Sequence, residues 1–182
     1  MTMKNTLWKS ASGLLFIAAL SSAANAANES TVINITANVV ASPCEVLTKN
    51  INMTLEDIQA SALQTANAAT EWTPMDTNTT IKLANCPAGT TEVLMTFTGT
   101  PDPNGGIGSF LNADTGTGAA TNVSVQLKQT GATDPIKNNE VIDLPLQSGA
   151  ALIPLSARLY SKSGGVTPGS VSSVINVAFT YK

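Results

Sequence analysis

The sequence predicts an all-β chain, an antiparallel β-sandwich of six or seven short strands. Three observations carry that expectation. Apolar side chains recur at every second position in short runs, the period of a half-buried strand. Clusters of Gly, Pro, Asn, Asp and Thr separate these runs, as turns do. Only residues 55–63, with Leu55, Ile58 and Ala62, are spaced for a helix, and one or two turns would make a connector, not a core element.

The first 26 residues stand apart. Lys4 and Lys9 precede the apolar run GLLFIAAL (13–20), and Ala24-Asn-Ala26 supplies small residues for cleavage. This is the pattern of a secretory signal peptide, with an apolar stretch too short for a membrane span. Its removal takes two lysines from a chain with 9 basic and 12 acidic residues, leaving 156 residues and a formal charge of −5. An acidic chain without a Lys/Arg cluster is not built to neutralise nucleic-acid phosphates.

Residues 31–40, TVINITANVV, alternate Thr31, Ile33, Ile35, Ala37 and Val39 against Asn34, Thr36 and Asn38. Pro43 ends this strand near Cys44. Further strands are expected at 79–86 (Ile81, Leu83), 92–98 (Val93, Met95, Phe97), 122–128 (Val123, Val125, Leu127) and 140–146. Another covers 151–160 (Ile153, Leu155, Ala157, Leu159), with Pro154 marking an edge or bulge. Residues 99–121, rich in Gly, Pro, Asn and Asp, are expected to form a long surface connection. The chain closes on VSSVINVAFTYK (171–182), where Ile175, Val177, Phe179 and Tyr181 share one face. Both ends are thus amphipathic strands. Residues 175–180 carry neither the charge nor the proline that usually blunts an exposed sheet edge.

Cys44 and Cys86 are the only cysteines, and in an exported chain an even count points to a disulfide. Closing a loop of about 43 residues is worth roughly 4 kcal/mol in the chain-entropy model. Without histidine, nothing completes a tetrahedral metal site around the pair, and His-based catalysis is excluded. The adjacent acidic pair Glu56-Asp57 reads as a solvated face, and the glycines of PNGGIG (103–108) lack the helix and GK[ST] of a phosphate cradle. Neither an enzyme nor a cofactor is expected.

Several of these segments together resemble a known family. ITANVVASPC (35–44), LANCPAGT (83–90), TFTGT (96–100), ARLY (157–160), VTPG (166–169) and VAFTY (177–181) look like the subunits of type 1 fimbriae, pilins of the chaperone–usher pathway. The resemblance covers residues 31–182, and includes a penultimate aromatic, Tyr181, and a turn glycine fourteenth from the end, Gly169. It implies an incomplete immunoglobulin-like sandwich, a six-stranded pilin domain that lacks its last strand and carries an N-terminal donor extension. The implied organisation is a signal peptide (1–26), a donor extension (27–41) and a pilin domain (42–182).

In such proteins a periplasmic chaperone lends a strand to the open groove beside the last strand. The extension of the next subunit then replaces it as an outer-membrane usher assembles the fibre outside the cell. Carried over, the donor residues are Thr31, Ile33, Ile35, Ala37 and Val39. The acceptor residues are Ile175, Val177, Phe179 and Tyr181, with the Lys182 carboxylate anchoring to the chaperone. Ala37 departs from the glycine common there in the family, so its cognate groove needs room for one more methyl group. The resemblance leans toward a minor, adaptor-like subunit; a major rod subunit is the alternative. A self-contained carbohydrate-binding sandwich is a third reading, in which Trp72 and Tyr160 would stack on sugar, although such aromatics more often serve as core or groove rim.

Overall fold

A computed structural model describes residues 32–40, 42–74 and 80–182. The expected signal peptide and Thr31 lie outside them. The chain divides into two compact units, Met1–Ala37 and Asn38–Lys182. Residues 32–37, the described part of the first unit, form no strand, and neither do residues 38–40 of the second.

The second unit is built from β1 (Glu45–Val46), a 3-10 turn (Ala60–Leu63), β2 (Ala68–Ala69), β3 (Thr73–Pro74), β4 (Ile81–Ala84), β5 (Glu92–Gly99), β6 (Ser109–Leu111), β7 (Ser124–Gln129), β8 (Glu140–Pro145), β9 (Ala151–Ile153), β10 (Leu155–Ser161) and β11 (Ile175–Tyr181). The order β1-β4-β9 makes one sheet, and β2-β10-β7-β6, with β3 also on β10, makes a second. The third is β11-β5-β8. Every paired strand is antiparallel. The alternation expected for each long strand sorts its side chains into core and surface. Val93, Met95 and Phe97 of β5 are fully buried in one cluster with Ile81, Leu83, Leu127, Ile153 and Leu155. The Cys44–Cys86 disulfide, flanking the β1–β4 pair, joins this core.

The strand expected at 31–40 is not formed by its described residues, 32–40, and three further expectations need correction. The strand expected at 151–160 is two strands in different sheets, β9 on β4 and β10 on β7, divided at Pro154. Proline has no amide hydrogen to offer either ladder, so the chain changes sheets there. Residues 99–121 are more than a surface connection. Phe110 of β6 is buried, and β6 pairs with β7 from Ser109↔Gln126 to Leu111↔Ser124. Three residues are too few to display an alternation. The helix-compatible stretch 55–63 keeps only its last four residues as a 3-10 turn, with Leu63 buried. Residues 51–58 before it are neither helix nor strand.

Candidate strand-binding site

β11 fixes the site. Its register on β5 runs from Ile175↔Gly99 to Tyr181↔Val93, and Lys182 prolongs it: the Lys182 N–H donates to the Glu92 carbonyl at 3.0 Å, and the Thr91 N–H donates to the Lys182 carbonyl at 2.8 Å. The Lys182 ammonium lies 3.5 Å from both Glu92 and Asp143. Ile175, Val177, Phe179 and Tyr181 are partly buried against the main core, while Asn176, Ala178 and Thr180 are exposed. Burial pushes the Tyr181 phenol above its ordinary pKa, so the ring packs in its neutral form.

On its other side β11 has no partner strand among the described residues. A groove of about 910 Å³ opens there. Residues 51–58 form one wall, and 169–175 with Val177 form the other. Its floor is Ile81 of β4, Val125 and Leu127 of β7, and Leu155, Ala157 and Leu159 of β10. An apolar floor this wide, between a free strand edge and an extended wall, is the space a further strand would fill. The opposite edge of the same sheet differs. β8 carries Glu140, an exposed Asp143 and a terminal Pro145, features that discourage pairing.

The structure brings Ile175, Val177 and Gly169 to the groove lining; Phe179 and Tyr181 continue the stripe beyond it. A Cβ on Gly169 would stand 2.5 Å from the Ala119 carbonyl carbon and the Gly118 carbonyl oxygen. This close approach is held by the buried Asn112, whose amide donates to the Ala120 and Ser170 carbonyls, both at 3.0 Å, and accepts from the Ser172 N–H at 2.9 Å. Replacing Gly169 with alanine is therefore expected to displace this wall. The expected cost is about 1–3 kcal/mol, or a melting temperature lower by roughly 3–10 °C, read by thermal unfolding. Of the proposed donor residues, Ile33, Ile35 and Val39 are 77%, 86% and 99% exposed, Ala37 is exposed as well, and Thr31 is not described.

The wall at 51–58 was missed in the sequence. Ile51, Met53 and Leu55 turn inward while Asn52, Thr54 and Glu56 stay exposed, an alternation masked by the helix-like spacing that follows. Trp72 is neither core nor groove rim: its ring lies against Arg158 and Lys128.

The family description "Fimbrial protein" matches residues 33–182. Protein FimG of Escherichia coli K12 is 32% identical over 174 residues, covering 91% of this chain and 94% of FimG. The chain belongs to the fimbrial protein family. The S-fimbrial adhesin protein SfaS of Escherichia coli O6:K15:H31 is also similar, at 32% over 151 residues, 83% of this chain and 85% of SfaS. The P pilus rod subunit PapA shares the fold, with a TM-score of 0.57 at 22% identity over 78% of this chain and all of PapA. So does part of the CupB6 tip adhesin of Pseudomonas aeruginosa, with a TM-score of 0.62 at 15% identity over 77% of this chain and 39% of CupB6. This fimbrial protein is thus a structural, non-enzymatic subunit of a chaperone–usher fimbria, exported through the periplasm and assembled with other subunits outside the cell. Its sandwich is the pilin type of immunoglobulin-like fold.

Proposed function

We propose that this subunit polymerises by strand exchange. Its groove receives a strand of a periplasmic chaperone during export and then the N-terminal extension of the next subunit at the usher. Its own residues 27–41 fill the groove of the neighbour on the other side. The observation that carries this reading is the apolar-floored groove beside the uncharged edge of β11, which has no partner strand among the described residues. An added strand satisfies main-chain groups along β11 and drops alternate side chains onto the floor. Ile33, Ile35 and Val39 would each contribute on the order of 1.5–3 kcal/mol by burial, before ordering costs. Such a chain both receives and donates, which favours an internal place in the fibre. We assign it there as an adaptor, with a rod subunit as the alternative.

The test is to release the mature chain from its chaperone with and without a synthetic peptide of residues 27–41. Without the peptide, the chain is expected to aggregate or polymerise. Bound to the peptide, a variant lacking its own residues 27–41 is expected to unfold cooperatively at a higher temperature. A stable free monomer, indifferent to the peptide and to loss of the extension, would overturn the reading.

A further inference from the structure

Strands β7 and β10 turn Val125, Leu127, Leu155, Ala157 and Leu159 into the groove, so their alternate residues occupy the opposite face of the sheet. The ladder sets Arg158 across from Gln126 and Ser156 across from Lys128. Trp72, just before β3, joins them. The Arg158 guanidinium carbon lies 4.2 Å from the centre of the Trp72 ring, and the Lys128 ammonium 4.6 Å from it. The two charges are therefore no farther apart than the sum of those distances.

Arg158 is held in place. Its Nε donates to the buried Gln126 Oε1 at 2.8 Å, and the Gln126 amide is itself anchored to Ser109 Oγ and the Ile107 carbonyl, each at 3.2 Å. The Tyr160 ring stands 5.7 Å from the guanidinium. Lys128 donates to the Ala132 carbonyl at 3.0 Å. Yet among the described residues the only ion pairs are those of Lys182 with Glu92 and Asp143. Two cations share one indole; Glu71 acts on Arg158 electrostatically, but among the described residues no carboxylate forms an ion pair with either. Like charges this close repel, and one bidentate acceptor between them would relieve both.

We propose that Arg158 and Lys128, gathered over Trp72, form a docking site for an aspartate or glutamate carboxylate of a neighbouring fimbrial subunit. The planar guanidinium supplies a fork for the carboxylate, and the ammonium adds a second charge. Charge complementarity identifies the occupant. Acidic residues outnumber basic ones 12 to 9 in this chain, so a neighbour built like it offers carboxylates in excess; Glu56 and Asp57 are both exposed on the groove wall. The proposal rests on incorporation into a fibre and not on the mode of strand exchange, because the site faces away from the groove.

Zero-length carbodiimide cross-linking of intact fibres tests it, since that reagent joins a lysine amine only to a carboxylate already beside it. A peptide containing Lys128 should be found joined to an aspartate or glutamate of another subunit, about fivefold more often than the exposed Lys137. Arg158→Gln should lower that yield by about fivefold, with Arg158→Lys falling between. If Arg158→Gln fails to enter fibres, the Lys128 to Lys137 ratio in wild-type fibres decides alone. A ratio near one, or a yield unchanged in Arg158→Gln, overturns the docking site. So does protection of Lys128 by a soluble carboxylated sugar in the absence of any inter-subunit link. Failure of the strand-exchange reading would be visible separately, as fibres that lack this subunit or as a free monomer indifferent to the peptide.

Discussion

Replacing Ile33 and Ile35 with aspartate is expected to leave the subunit at its normal periplasmic level and to remove it from the fibre. The two positions are exposed and outside the buried core of the second unit, so the groove proposed to receive a chaperone strand is left unchanged. If these residues enter a neighbour's groove as proposed, however, the substitution places two carboxylates where apolar side chains would meet an apolar floor. Lost burial and the desolvation of the acids together exceed about 6 kcal/mol, some four decades in the equilibrium constant. Immunoblots of periplasm and of sheared fibres read the two quantities separately. Fibres that persist without the subunit would support the adaptor assignment; complete loss of fibres would make it the rod. A double mutant that polymerised normally would show that the donor residues are others.

Removing residues 179–182 should have the opposite signature, loss of the subunit before assembly begins. Phe179 and Tyr181 both pack against the main core, and their segment pairs with Val93, Leu94 and Met95 of β5. Both rings are only partly buried, so each costs less than the about 3–5 kcal/mol of a fully buried aromatic, but together they remain a substantial share of a typical domain's stability of about 5–15 kcal/mol. The truncation also erases the end of the edge on which any added strand must pair. Pull-down of the chaperone and the steady-state level of the subunit are the measurements. Normal amounts of a chaperone complex would count against the acceptor assignment.

Where side chains alternate over five or more residues, the sequence already displayed the fold. β5, β7 and β11 were all legible, and so was the stripe from Ile175 to Tyr181. The rest was hidden for identifiable reasons. Pro154 interrupts an unbroken alternation, so one apparent strand becomes two in different sheets. β6 is too short to show a period amid its glycines. The wall at Ile51, Met53 and Leu55 alternates as a strand does but runs into Ile58 and Ala62 at helical spacing, so local pattern misdirected the reading. The groove is legible only when strands distant in sequence are brought together, for its floor draws on β4, β7 and β10. The grouping of Trp72, Lys128 and Arg158 has the same origin: three residues far apart in the chain, unremarkable singly, meet because β3 and β7 pair on either side of β10.

The two edges of the β11-β5-β8 sheet bear on the shape of the polymer. With Asp143 and Pro145 guarding β8 and no such guard on β11, a single edge of that sheet is open to a newcomer. If each subunit accepts one strand and gives one, its valence is two, and the two contacts use unlike surfaces. Heterologous contacts of that kind propagate head to tail and do not close on a dyad. Growth is then linear and polar, without branching or lateral fusion through the β8 edge. The proline and aspartate on that edge would act as chain-architecture residues: substituting them should show itself in bundled or branched fibres before it shows in the stability of one subunit.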